Sequence, residues 1–268
     1  MNAGTRIAVA GATGRLGSHI VDVLDERGYD VVRISRTDGV DVVTGEGLAE
    51  ALAGAEVVVD VSNSPSLEET VAMDFFKTSA SNLAVAEQAA GVQHHVALSV
   101  VGTDRLQGSG YFRAKLAQEQ LIKASPIPYS LVHATQFFEF IQTIAQLSTD
   151  GSEVRLPPVQ FQPMAADDVA SAIVDVALAD PLGGMVEIAG PETFTLDAAV
   201  ARVLAHDHDP RRVVADPAAP YFGVRVSDRT LVPGPGARLG ATTLDWWIAN
   251  VPPPPKVAPR APVAEPAH

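Results

Sequence analysis

The stretch Arg6-Ile7-Ala8-Val9-Ala10-Gly11-Ala12-Thr13-Gly14-Arg15-Leu16-Gly17 decides the fold of this chain. Its first five residues make an apolar run too short for a stable helix, which reads as a strand buried on both faces. Leu16, Ile20, Val23 and Leu24 then recur at helical spacing until Gly28, a residue suited to closing a helix. Between strand and helix the glycines fall as G-x-x-G-x-x-G. Gly11 permits the tight turn, Gly14 lets backbone approach a pyrophosphate, and Gly17 allows the helix to pack on the strand. Free N–H groups and the helix dipole favour an anion at that point. The motif therefore predicts a dinucleotide site at Gly11, Thr13, Gly14, Arg15, Leu16 and Gly17.

Working outward, short apolar runs alternate with helical patterns. Strands are expected at Arg6 to Ala10, Asp30 to Ser35, Val40 to Val43, Glu56 to Val61, His95 to Ser99 and Tyr129 to His133. Ser66-Leu67-Glu68-Glu69 reads as a capping box opening a helix that ends before Gly91. Beyond about residue 135 the rhythm weakens. Phe137, Phe138 and Phe140 cluster there, and Pro157, Pro158 and Pro163 interrupt the pattern. A helix from Asp167 to Ala179, a strand from Met185 to Ala189 and a helix from Leu196 to Leu204 are expected next. The fold class is α/β: a Rossmann-type doubly wound parallel sheet with a small C-terminal substrate-side region. Residues 1–251 are expected to form this one domain, with about 135–251 on the substrate side. Residues 252–268 carry seven prolines and read as a disordered tail.

Which dinucleotide binds depends on the end of the second strand. An acid there suits the ribose 2′-hydroxyl of NAD, whereas an arginine suits a 2′-phosphate. The sequence runs Val31-Val32-Arg33-Ile34-Ser35-Arg36-Thr37. Arg36 can pair bidentately with a phosphate, Ser35 and Thr37 can donate to it, and Arg15 lies within reach. NADP(H) is the expected cofactor. Asp38 leaves NAD(H) as the alternative.

Further along stand Ser99-Val100-Val101-Gly102, Tyr111-Phe112-Arg113-Ala114-Lys115 and Ala134-Thr135-Gln136-Phe137-Phe138-Glu139-Phe140. With the glycine motif, these segments give a chain that resembles the short-chain dehydrogenase/reductase superfamily, in its atypical, NmrA-like branch. The resemblance spans residues 5 to about 250 and implies a Rossmann fold with NAD(P) bound. It also implies that Tyr111 moves a proton at a carbonyl or hydroxyl. Lys115, four residues on and on the same helix face, would contact the nicotinamide ribose and lower the Tyr111 pKa. Ser99, at the carboxyl end of a strand, would orient a substrate oxygen. The expected catalytic set is thus Tyr111, Lys115 and Ser99. His133-Ala134 replaces the Arg-Pro often found in this family, and Val100 stands where many relatives have serine. His133 reads as a packed, hydrogen-bonded side chain.

Composition narrows the partners. Thirty-two acids against 19 Lys and Arg give a net charge of −13, and with no basic patch evident, nucleic-acid binding is not expected. Cysteine is absent, which removes thiol nucleophiles and zinc–thiolate sites. His206-Asp207-His208-Asp209 reads as a solvated turn, so no metal is expected, and His94-His95 reads as surface. Among Phe137, Phe138, Phe140, Tyr221, Trp246 and Trp247, core packing is expected for most. No run approaches the ~20 apolar residues of a membrane span, and Met1 to Arg6 lead straight into a strand, so a cytoplasmic protein without membrane contact is expected. The leading reading is an NADPH-dependent reductase of a small apolar carbonyl or quinone-like substrate. Its rival is a non-catalytic NADP(H)-binding redox sensor acting through a protein partner. A sugar-nucleotide epimerase ranks last.

Overall fold

The computed structural model describes residues 4–252. All but the first residue of the Pro-rich segment lies outside the described residues. Five strands come first: β1 (Arg6–Ala10), β2 (Asp30–Ile34), β3 (Val57–Asp60), β4 (His94–Val100) and β5 (Tyr129–Ala134). Helices α1 (Arg15–Glu26), α2 (Leu48–Leu52), α3 (Glu69–Ala90) and α4 (Gly110–Ala124) alternate with them. Next come α5 (Ile141–Leu147), β6 (Thr149–Asp150), β7 (Glu153–Leu156), β8 (Gln160–Phe161) and α6 (Ala166–Ala177). The described chain closes with β9 (Gly184–Ala189), β10 (Phe194–Thr195), α7 (Leu196–His206), β11 (Arg212–Ala215), β12 (Arg238–Leu239) and α8 (Leu244–Asn250).

The main sheet has the order β12-β9-β5-β4-β3-β1-β2, with every neighbouring pair parallel. Strand order reverses between β1 and β3, because the chain runs outward from β1 to β2 and then returns. That crevice, at the carboxyl ends of the strands, is where ligands bind in such sheets. Alternate residues of β1 explain the two flanking layers. Ile7 and Val9 pack with Leu16, Ile20 and Leu24 of α1 and Val169 and Ile173 of α6, while Ala8 and Ala10 meet Leu48, Leu52 and Leu83. Full burial contributes roughly 1.5–3 kcal/mol for each large aliphatic side chain. A separate apolar cluster joins Phe138, Ile141, Leu156, Phe161, Leu196 and Trp247 beyond the carboxyl edge of the sheet.

Three local expectations are corrected. Val40 to Val43 is not a strand. The Asp41 carboxylate accepts from Val43 N at 2.7 Å, and the Asn82 amide donates to Val42 O and Val43 O at 3.0 and 2.8 Å. These bonds satisfy the backbone in place of a ladder, and β2 remains the sheet edge. Ser66 does not cap α3. Glu68 is the N-cap, and the Ser66 hydroxyl instead accepts from Glu68 N at 3.1 Å in a tight turn. His94 and His95 are not at the surface: they are 1% and 4% exposed. His94 Nε2 meets Ser130 Oγ at 2.8 Å, and His95 Nδ1 meets Glu87 Oε1 at 2.7 Å. Burial drives the His94 pKa down to about 4, so it packs neutral.

Candidate active site

The Gly-rich turn has the expected geometry. Gly11 takes φ +84° in the left-handed region, and its N–H, with that of Ala12, bonds Ile34 O at the end of β2. A Cβ at Gly17 would lie 2.0 Å from Gly11 O, so helix and turn approach more closely than any other residue would allow. Gly14 caps α1 without a side-chain bond, leaving N–H groups of the first turn without that partner. A backbone cradle closed to side chains and rich in donors fits a pyrophosphate. Gly14, Arg15, Leu16 and Gly17 line one cavity, of about 510 Å³, and Gly11 supports it from beneath. Thr13 is exposed on the turn and does not line the cavity.

Arg36 opens a short 3₁₀ turn (Arg36–Asp38) directly after β2, beside the Gly-rich turn and outside the cavity lining. Arg15 and Arg36 are exposed and form no ion pair among the described residues. The Ser35 hydroxyl, expected to serve a phosphate, is engaged by the Asp38 carboxylate and lies 2.8 Å from Thr37 Oγ1. An acid therefore does lie close to the strand end, brought back by the turn.

Tyr111 and Lys115 sit in the first turns of α4 and line the same cavity. The Tyr111 hydroxyl donates to Asn63 Oδ1 at 3.0 Å, and its ring meets Phe76 and Phe112 edge to face. Lys115 is 4% exposed. Its ammonium donates to Leu98 O at 2.8 Å and to Gln118 Oε1, and lies 4.5 Å above the Phe76 ring. Gln118 in turn donates to Asp60 Oδ2 at 3.0 Å. The expected effect of Lys115 on the Tyr111 pKa is corrected. Burial pushes the phenol up to about 12, the Asn63 bond only partly opposing it, while the ammonium is turned toward Leu98 and Gln118. Burial draws Lys115 down to about 8, against the upward pull of Asp60 and Glu119.

Ser99 lines the cavity floor, and its hydroxyl donates to Glu119 Oε1 at 2.6 Å. Glu119 also meets His133 Nε2 at 3.1 Å and Lys123 Nζ at 3.1 Å. Burial works to raise the Glu119 pKa, but His133, Ser99 and Lys123 together hold it down at about 2. Asn63, Gln118 and Glu119 carry no motif and were not identified from sequence. Helical spacing from Lys115 could have placed Gln118 and Glu119 near the site, but no such signal exists for Asn63.

Aromatic residues close the far end. Phe112, Phe137, Phe140, Tyr221 and Phe222 line it. Of the six aromatics for most of which core packing was expected, Phe138, Tyr221 and Trp247 are buried, Phe137 and Phe140 are partly buried and Trp246 is 56% exposed. In the His206–Asp209 stretch, Asp207 accepts from Gln142 and Asp209 binds Arg211. Among the described residues, no group of three or more His, Asp or Glu is arranged to hold a metal, and no helix is long and apolar enough to cross a membrane.

These elements define a Rossmann-type dinucleotide-binding protein. The chain belongs to the NAD(P)H-binding family, whose model matches residues 11–181. In sequence it is similar to the chloroplastic divinyl chlorophyllide a 8-vinyl-reductase of Cucumis sativus, 28% identical over 229 aligned residues. That match takes in 70% of this chain and 53% of the cucumber enzyme, so the chain spans about half the length of the curated relative it matches. In fold it is similar to the dTDP-4-dehydrorhamnose reductase of Bacillus anthracis in complex with NADP. The TM-score is 0.64 and the identity 18%, covering 80% of this chain and 84% of that one. A short-chain dehydrogenase/reductase superfamily protein from Agrobacterium tumefaciens with bound NAD gives 0.68 at 17% identity, covering 91% and 95%.

Proposed function

We propose that this protein is an NADPH-dependent reductase of the atypical, NmrA-like branch, acting on a small, flat, apolar carbonyl or quinone-like acceptor. The observation that carries this reading is one cavity lined by the Gly-rich turn, a protonated Tyr111, Lys115 and a largely aromatic far wall. The bound nicotinamide, when reduced, supplies a hydride. Gly14, Arg15, Leu16 and Gly17 would hold the pyrophosphate, with Gly11 and Thr13 shaping the turn, and the exposed Arg15 and Arg36 would be available to a 2′-phosphate. Lys115, which lines the same cavity, would hold the ribose by turning its ammonium from Gln118. Tyr111 donates its phenolic proton to the substrate oxygen as that oxygen gains charge. A raised pKa keeps the proton on Tyr111 until a stronger base, the developing alkoxide, forms. The Ser99 proton is committed to Glu119, so in this arrangement Ser99 offers only lone pairs, which suit the hydroxyl of the reduced product and not the carbonyl of the acceptor. Residues about 135–251 supply the substrate side through Phe137, Phe140, Tyr221 and Phe222.

That commitment of Ser99 is also what favours the rival reading, a sensor that binds NADP(H) and turns nothing over. Following NADPH absorbance against a panel of aryl aldehydes, ketones and quinones separates the two. A reductase consumes NADPH with at least one apolar acceptor, and consumption with none of them supports the sensor.

A further inference from the structure

Gln136 is only 6% exposed, yet it lines the cavity, and apart from a side-chain hydrogen bond with the Tyr221 phenol its amide has no partner among the described residues. Thr135 Oγ1 beside it, at 1% exposure, has no hydrogen-bond partner among the described residues. Buried polar groups left in this way disfavour the folded state, and native structures keep few of them. Their backbone is held firmly in place. Thr135 N bonds Ile188 O at 3.0 Å, and Met164 N bonds Gln136 O at 3.0 Å.

The neighbour of Gln136 is Tyr221, from the C-terminal region rather than from the Gly-rich side. Burial pushes the Tyr221 phenol up, Gln136 draws it partly back, and Tyr111 adds to the rise, so the two phenols and the amide form one group. Tyr221 is pinned too: its N–H bonds Val224 O at 2.8 Å, and Val224 N bonds Tyr221 O at 3.0 Å. Between them Phe222 holds φ +49°, a left-handed conformation uncommon for a bulky residue and frequent at ligand clamps.

We propose that Gln136 and Tyr221 form a substrate-recognition subsite that receives a second oxygen of a flat acceptor whose reacting carbonyl lies at Tyr111. This rests on the reductase reading and narrows it to dioxygenated, quinone-like molecules. A glutamine amide suits such a substrate in both oxidation states, because Nε2 donates to a carbonyl and Oε1 accepts from a hydroxyl. No charged side chain lines this end. The cavity cations, Arg15 and Lys115, lie at the Gly-rich turn and on α4, so carboxylated or phosphorylated substrates gain nothing here.

Calorimetric titration under saturating NADP⁺ reads binding without turnover. The probes are 1,4-naphthoquinone, with two opposed oxygens, and 1-tetralone, a similar frame with one. The chain has no cysteine, so the quinone finds no thiol to alkylate. The parent protein should bind the quinone about tenfold or more tightly than tetralone, the scale of one satisfied buried hydrogen-bonding group. Gln136→Leu should reduce that ratio to within about twofold, leaving tetralone and NADP⁺ affinities unchanged. Tyr221→Phe, a smaller change, should move the ratio the same way and serves if Gln136→Leu fails to fold. A parent that does not discriminate, a ratio unmoved in both variants, or a loss of NADP⁺ affinity in Gln136→Leu would each overturn the subsite. Discrimination without NADPH consumption would leave the subsite standing and remove the reductase reading instead.

Discussion

The two ends of the cavity are built in different ways. At the cofactor end the site is backbone: Gly11 turns the chain, Gly17 brings helix against turn, and the α1 N-terminus offers N–H groups. Seven consecutive residues, Gly11 to Gly17, form that turn. At the substrate end the site is side chain, with Tyr111, Gln136 and Tyr221 drawn from α4, the segment just after β5 and a loop 85 residues beyond Gln136. A backbone site tolerates no substitution that adds bulk. A side-chain site tolerates change in shape but not the loss of a particular donor.

The comparison breaks most sharply at Gly17. Gly17→Ala forces a Cβ to within 2.0 Å of a backbone oxygen that has nowhere to move. Stability should fall by about 3 kcal/mol, or roughly 6–10 °C in Tm. NADPH affinity should fall by about a hundredfold or more as the cradle opens, which calorimetry and thermal melts read separately. A Tm and affinity matching the parent would remove the close-packing argument.

On the side-chain end, Glu119→Gln should lower stability by about 1–3 kcal/mol at pH 7, since it weakens a buried carboxylate shared by Ser99, His133 and Lys123. The sign follows from the lowered pKa. The folded carboxylate titrates near 2 against an ordinary 4.5, so its contribution is full above pH 4.5 and fades as pH falls toward 2. Parent and variant unfolding curves should therefore converge across that interval. A constant gap down to pH 2 would contradict the assignment.

Arg36→Ala is the mildest of the three, because the side chain is exposed and screened. NADPH affinity should drop by about fivefold, near 1 kcal/mol, with NADH affinity unchanged. Equal losses for both cofactors would mean that Arg36 does not read the 2′-phosphate, and Asp38 would then favour NAD.

This contrast also explains what was legible in the sequence. The Gly-rich turn and six strands of the main sheet are encoded by local period and spacing, and those strands appear within one or two residues of their expected bounds, whereas the two-residue β12 carries too little pattern to be read. Val40 to Val43 has the composition of a strand, but Asn82, about forty residues away, supplies the bonds a neighbouring strand would have made. His94 and His95 look solvated until the Ser130 hydroxyl and the Glu87 carboxylate meet them inside the fold. Asn63 and Glu119 belong to no short motif, Gln136 stands in a segment read only for its resemblance, and Tyr221 was read only as an aromatic. Their roles arise from tertiary neighbours, which no spacing rule encodes.

The central claim is that Tyr111 supplies the proton for a hydride transfer to an apolar acceptor. Stopped-flow oxidation of NADPH by an acceptor from the turnover panel, comparing the parent with Tyr111→Phe, tests it most directly. The variant keeps the ring against Phe76 and Phe112 and loses only the hydroxyl that Asn63 receives. Folding and NADPH affinity should hold while the rate falls by about 10²–10⁴, the scale of a positioned general acid. A Tyr111→Phe rate equal to that of the parent would contradict the account.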